Sequence, residues 1–284
     1  MTEITIGVDV SKEALDAYRF PDGESRHFDN NAKGHKALMR WIGSEVTRIV
    51  YEPTGAYHRG FECRLAEAGL ALVKVNPRQA RRFAEATGKL AKTDRCDAAM
   101  LARMGAVLAL TARPLRGALL NELKDLHMAR AALIKDRTAA RNRAKTLTLA
   151  LLKRQNGERL KQIQRHLGDL DQTILALIKT DPDLAQRLDI LTSIPSVSHA
   201  TACALIIDMP ELGALQPSEA ASLAGLAPVA RQSGTWTGRA FIRGGRANVR
   251  QALYMPALVA MRFNPDLKAK YQALKAAKRS PSPP

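Results

Sequence analysis

Two short apolar runs that each stop on an acid constrain this chain most. TIGVDV carries Asp9 and RIVYE ends on Glu52. Both read as strands, the second stopped by Pro53 and Gly55. Between them lie two shorter strands, ALDAYRF and SRHFDN, separated by the turn signal PDGE. A helix follows, with Leu38, Trp41, Ile42 and Val46 at helical spacing. After RIVYE come a helix closed by Gly69, the strand LALVKVN and a basic helical piece, RQARRFAEATG. KTDRCDAAMLARM then opens another helix, with Asp94 and Asp97 three apart on one face.

The order βββαβαβα matches a ribonuclease H-like, RuvC-like α/β domain over residues 1–112. In that fold, acids at strand ends and on the last helix converge at one edge of the sheet. Taken singly, an acid after a strand is ordinarily a turn residue or a helix cap. Four in this order, in a chain of net charge +17, need a counter-charge. Close carboxylates repel unless a proton or cation lies between them, and oxygen ligands suit a hard divalent metal. The six histidines do not cluster, and no Gly-rich nucleotide loop is present.

Forty-four Lys and Arg against 27 Asp and Glu favour a polyanionic partner, nucleic acid before membrane. Residues 113–165 hold 14 basic and 4 acidic side chains, and residues 229–262 hold six Arg and no acid. Such blocks suit phosphate-facing surfaces better than mixed solvated ones. The three cysteines, Cys63, Cys96 and Cys203, form neither a disulfide framework nor a zinc spacing. With no signal peptide and no uncharged apolar run of about 18 residues, a cytoplasmic protein without a membrane span is expected.

Residues 113–188 read as a basic helical hairpin. One helix spans about 118–153, Arg154-Gln155-Asn156-Gly157 forms a turn, and a second helix follows. In the second, Leu160, Ile163, Leu167, Leu170, Ile174 and Leu177 form a heptad seam. In the first, Leu119, Leu123, Leu126, Leu133, Leu147 and Leu151 share a seam interrupted by Arg130 and Arg137. An intrachain coiled coil, a dimer seam and a nucleic-acid clamp all fit. Residues 189–284 read as a mostly helical domain. There ILTSIPSVSHATACALIIDM resembles a helix-hairpin-helix element, with Ser196 and Ser198 where glycine is usual. RQSGTWTGRAFIRGGRANVRQAL reads as a Gly-rich, Arg-rich turn region running into a helix. Within it Ser233 is locally an ordinary turn residue. Its setting among guanidiniums makes it a candidate nucleophile beside a scissile phosphate.

Together these features resemble the insertion-sequence transposases with an Asp-Glu-Asp-Asp RuvC-like domain and a C-terminal serine-bearing domain. GVDVSK, YEPTGAY, NPRQARRFA and KTDRCDAAMLA look like the N-terminal motifs of that family. IPSVSHATA, LAGLAPVARQSG and RGGRANVRQAL look like its C-terminal ones. The resemblance implies that Asp9, Glu52, Asp94 and Asp97 hold Mg²⁺, with Mn²⁺ a substitute, and that Ser233 forms a covalent link to DNA. It also implies a bacterial homodimer or homotetramer, nucleoid-associated when acting, guided by a structured noncoding (bridge) RNA that pairs with target and donor DNA. The expected nucleic-acid contacts are Arg78, Arg81, Arg82, Arg137, Arg141, Arg143, Lys145, Arg231, Arg239, Arg243, Arg246 and Arg250.

Three rivals share parts of the pattern. A Holliday-junction-type endonuclease would use the acids with metal-activated water. A nucleic-acid-binding scaffold would need no metal. An actin-like or sugar-kinase fold would use GVDVSK as a phosphate loop, but the basic hairpin and missing adenosine-type motifs oppose it.

Overall fold

The computed structural model describes residues 3–53, 55–88, 94–112 and 117–277, with the backbone alone at 94 and 95. The chain divides into two compact units, Met1–Leu115 and Arg116–Pro284.

The first unit is a mixed sheet with helices on both faces. Its elements are β1 (Ile4–Val10), β2 (Ala14–Phe20), β3 (Ser25–Asp29), α1 (Ala32–Ile42), β4 (Val46–Tyr51), α2 (His58–Glu67), β5 (Leu72–Lys74), α3 (Pro77–Ala86) and α4 (Asp94–Val107). The strand order is β3-β2-β1-β4-β5. β1 runs antiparallel to β2 and parallel to β4. This is the element order expected from the sequence. β1 lies at the centre, so it is apolar on both faces rather than alternating. On one face Ile6, Val8, Leu15, Ile49 and Tyr51 pack with Leu38 and Ile42 of α1 and with Phe61 and Leu65 of α2. On the other, Val50 and Val73 pack with Met100, Leu101 and Met104 of α4. Asn31 starts α1 by accepting hydrogen bonds from the Lys33 and Gly34 amides, both at 2.9 Å.

The second unit is built on the helical hairpin α5 (Ala118–Ala144) and α6 (Ala150–Lys179). It continues through α7 (Pro182–Ser193), α8 (His199–Asp208), α9 (Pro217–Leu223), β6 (Pro228–Ser233), β7 (Trp236–Ile242), α10 (Ala247–Phe263) and α11 (Pro265–Ala277). Leu123 of α5, Ile174 and Ile178 of α6, Leu184 and Leu188 of α7, and Ile206 and Ile207 of α8 share one core.

Three local expectations change. Arg154–Gly157 is not a turn but lies inside α6, and the chain reverses between α5 and α6 instead. The Asn156 amide, a turn signal in sequence, donates at 3.0 Å to the Ala140 carbonyl of α5 and so serves helix pairing. Leu147 consequently falls in the connection, and Leu151 is an exposed residue of α6. The Gly-rich, Arg-rich region is a β-hairpin, with Ser233 paired to Trp236 at its turn. Val229, Trp236, Phe241 and Ile242 supply its strand-forming side chains, and all four are exposed.

Candidate catalytic site

The strand register gathers the first two acids. Val8 of β1 pairs with Tyr51 of β4, so the next residues along, Asp9 and Glu52, stand level. Asp9 is half-buried, as is Glu52. Residues two apart on a strand face the same way, so Gly7 lies on the Asp9 face. α4 presses directly on that glycine. A Cβ at Gly7 would meet the Ala98 carbonyl oxygen at 2.0 Å and the Ala102 nitrogen at 2.4 Å. Further along, a Cβ at Gly105 would meet Val50 Cγ2 at 2.4 Å and Thr5 Cγ2 at 3.0 Å. α4 therefore descends β1 from Gly7 towards Thr5, and its first turn, with Asp94 and Asp97, projects back towards Asp9. The Arg48 guanidinium, buried in β4, donates to the Gly105 carbonyl at 3.0 Å and anchors the far end of α4.

The backbone thus brings Asp9, Glu52 and the start of α4 to one end of one sheet face. Asp9, Glu52 and Asp97 each have interactions within the protein. Among the described residues no three His, Cys, Asp or Glu side chains are grouped to hold a metal. The Asp94 side chain lies outside the described residues. The donor chemistry fits a hard divalent cation, since all four candidates are carboxylates.

The same sheet row extends outward. Asp16 of β2 is the register partner of Asp9, and His27 of β3 is that of Asp16. His27 Nδ1 lies 2.9 Å from Asp16 Oδ1. That hydrogen bond, aided by the carboxylate charge, raises the imidazole above its usual range. Sequence reasoning passed over this pair. The strand register was its signal.

In the second unit, Ser233 is exposed at the end of β6, and Arg231 stacks over Phe241 at 5.7 Å. The helix-hairpin-helix expectation falls on α7, α8 and the turn between them. Ser196 holds φ +89, a left-handed conformation that favours glycine, while the Ser198 hydroxyl accepts from the Thr201 amide at the start of α8.

The twelve expected nucleic-acid contacts separate by environment. Arg78, Arg82, Arg141, Arg143, Lys145, Arg239 and Arg243 are exposed. Arg81 is exposed beside Glu85 at 3.3 Å, and Arg137 reaches Gln164 of α6 at 3.4 Å. Arg246 and Arg250 differ in environment, because internal acceptors hold both guanidiniums. Arg246 bonds both carboxylate oxygens of Glu211 and the Asp208 carbonyl. Arg250 reaches the carbonyls of Ala224, Gly225 and Gly244.

Comparison with known proteins resolves the family. Residues 6–153 match the DEDD transposase model of IS110 elements (DEDD_Tnp_IS110, Transposase), and residues 188–272 match the Transposase IS116/IS110/IS902 family. The chain belongs to this transposase family. It is also similar to the pilin gene-inverting protein of Moraxella lacunata, with 29% identity over 282 residues, covering 91% of this chain and 83% of that protein. The protein of the same name from Moraxella bovis is 28% identical over the same shares. This transposase is thus an enzyme of DNA recombination. Its DEDD domain implies a ribonuclease H-like fold and points to dependence on a divalent metal.

A second feature of the transposase was not legible in sequence. Asp208, at the end of α8, is buried against Lys124 and His127 of α5. Burial alone would raise its carboxyl. Attraction to His127 and Lys124 outweighs that and holds it down at about 2. Close by, a cavity of about 140 Å³ is lined by His127, Arg130, Asp171, His199 and Cys203. Arg130 and Asp171 pair across α5 and α6 at its wall. No helix among the described residues is long and apolar enough to cross a membrane.

Proposed function

We propose that this transposase exchanges DNA strands through a covalent link between Ser233 and a DNA phosphate, at a site where Asp9, Glu52, Asp94 and Asp97 hold Mg²⁺. The observation that carries the reading is the seating of α4 on Gly7, which directs its acid-bearing first turn towards Asp9 and Glu52. When bound, the metal neutralises phosphate charge and assists nucleophile activation. Serine unaided is a poor nucleophile at neutral pH. The Ser233 oxygen bonds to phosphorus, the bond to one deoxyribose oxygen breaks, and that oxygen takes up the proton that serine gives up. Attack by a hydroxyl of the second strand reverses these changes and releases the serine. The phosphodiester energy is conserved, so rejoining needs no ATP. Mn²⁺ substitutes for Mg²⁺ in such an oxygen site.

Sequence choice belongs to a structured guide RNA pairing with target and donor DNA, as the family resemblance implies. Protein cations then contact backbone rather than bases. Exposed Arg141, Arg143 and Lys145 near the end of α5, and Arg239 and Arg243 on and beside the Ser233 hairpin, suit that role. The name of the Moraxella relatives favours site-specific exchange, including inversion. The working assembly is a homodimer or homotetramer, in which the serine of one protomer reaches the acids of another.

The test uses the full-length protein with its co-purifying nucleic acid and a DNA substrate carrying the flanks of its own gene. Ser233→Ala abolishes both the denaturation-resistant protein–DNA adduct and recombination, while nucleic-acid binding persists. Strand cleavage without adduct in the wild type would instead favour the water-using junction endonuclease. Exchange that persists in chelator would remove the metal from the reading.

A further inference from the structure

The Ser233 hairpin has almost no packing of its own. Every residue of β6 is exposed, as is every residue of β7 except Gly238. An isolated two-stranded hairpin is marginal in water. Where Ser233 points is therefore decided at the stem, and the stem has a built clamp. The backbone enters β6 past Gly225 and leaves β7 past Gly244 and Gly245. A Cβ on Gly245 would meet the Gly225 nitrogen at 2.2 Å and its Cα at 2.3 Å. Gly225 at φ +71 and Gly245 at φ +65 use conformations that side-chain-bearing residues rarely adopt.

Arg250 of α10 closes the crossing. Its Nη1 donates to the Gly244 carbonyl at 3.1 Å, with longer contacts to Gly225 at 3.3 Å and Ala224 at 3.4 Å. One guanidinium thus joins the incoming and outgoing strands of the stem. Its helix is fixed in turn, since Val249 is buried with Leu205, Met209 and Ala224. The Arg246 amide also donates to the Leu223 carbonyl at 2.7 Å.

We propose that Arg250 is a positioning residue for the recombination step: it fixes the angle at which the hairpin leaves the body and so the place of the Ser233 hydroxyl. This rests on the reading of Ser233 as nucleophile. The six residues of β6 span about 20 Å at a rise of about 3.3 Å each. A tilt of about 10° at the stem then moves the tip by about 3 Å. Displacements of about 1 Å in a reacting geometry cost about 100-fold in rate. Lysine keeps the charge, but its ammonium ends one bond short of the Nη1 position from which all three carbonyls are reached.

The experiment measures adduct formation by full-length wild type, Arg250→Lys, Arg250→Ala and Ser233→Ala, with the nucleic acid and DNA substrate named above. DNA affinity and helical circular dichroism are measured alongside. Trp236 fluorescence anisotropy, in a Trp41→Phe background, reports the hairpin directly. Both Arg250 variants are expected to form adduct at least about 10-fold more slowly, to bind DNA within about twofold of wild type, and to lower Trp236 anisotropy. If Arg250→Ala loses helical signal, Arg250→Lys carries the comparison. Adduct formation at the wild-type rate in Arg250→Lys overturns the proposal. So does a loss of DNA affinity matching the loss of rate, which would make Arg250 a phosphate contact. Adduct persisting in Ser233→Ala overturns the nucleophile assignment instead, and Trp236 anisotropy then still decides whether Arg250 orders the hairpin.

Discussion

Arg246 and Glu211 are joined by two hydrogen bonds, Nη1 to Oε2 at 2.6 Å and Nη2 to Oε1 at 2.7 Å. Nη1 also donates to the Asp208 carbonyl at 2.8 Å, so this guanidinium ties α8, the following loop and the start of α10 together. Charge alone would group Arg246 with the exposed arginines. Its bonding sets its environment apart from theirs.

Arg246→Ala is therefore expected to destabilise the second unit rather than weaken DNA contacts. A half-exposed, bidentate charged pair contributes about 1 kcal/mol after solvent screening. Thermal melting should shift down by a few degrees, roughly. The salt dependence of DNA binding should keep its slope. Exposed Arg243 gives the contrast: Arg243→Ala should leave melting unchanged and lower the slope by about 1. A reduced slope in Arg246→Ala would return that residue to the DNA-facing set.

Acid should act on the second unit through Asp208. In the folded protein His127 and Lys124 hold its carboxyl down to about 2, against 3.8 for an unperturbed group. The folded state thus binds its proton less readily than the unfolded chain does. The stabilisation is complete above about pH 4 and is lost as pH falls towards about 2. That depression corresponds to about 2 kcal/mol. Stability of the wild type, followed by helical circular dichroism in denaturant, should fall across that window. Asp208→Asn should be less stable at neutral pH, with Lys124 left facing a neutral amide, and should show a flatter acid limb. An equally steep limb in the variant would assign the acid sensitivity elsewhere.

Gly7 makes the seat of α4 testable. Its added Cβ would collide with backbone atoms, the Ala98 carbonyl oxygen and the Ala102 nitrogen, which no rotamer change can relieve. Gly7→Ala should cost about 1–3 kcal/mol, as overpacked cores do. It should also lower metal-dependent strand exchange, because the turn bearing Asp94 and Asp97 moves relative to Asp9. Gly69→Ala is a useful comparison, since nothing lies within 4 Å of the new methyl. Its cost is confined to local backbone strain, and exchange should survive. Full exchange by Gly7→Ala at wild-type Mg²⁺ would break the link between α4 and the acid site.

How much was legible followed from what each segment buries. β1 and β4 are covered on both faces, so TIGVDV and RIVYE announce themselves as apolar runs, each with a half-buried acid at or next to its end. The Ser233 hairpin covers nothing, so neither face imposes an alternating pattern, and its glycines and arginines read as a loop. The Asn156-Gly157 pair has the chemistry of a turn, but a partner helix claims the amide. Arg246, Arg250 and Arg243 are indistinguishable as letters. Only the carbonyls and carboxylate around the first two separate them from the third.

The basic hairpin gives a last division of the same kind. Arg137 reaches Gln164 across α5 and α6, whereas Arg141, Arg143 and Lys145 are exposed where α5 ends. Nucleic-acid binding driven by counterion release weakens with salt in proportion to the phosphates neutralised. Removing three phosphate-facing cations together should flatten the logarithmic salt plot by about 2–3 units, depending on whether the ligand is duplex or single-stranded. The triple variant Arg141→Gln, Arg143→Gln and Lys145→Gln should do this for the co-purifying nucleic acid without changing thermal stability. Arg137→Gln should alter the slope by less than 1, because its guanidinium already has a partner within the hairpin. Should the triple variant retain the wild-type slope, the end of α5 faces solvent, and the positive charge of residues 113–165 must act elsewhere along the two helices.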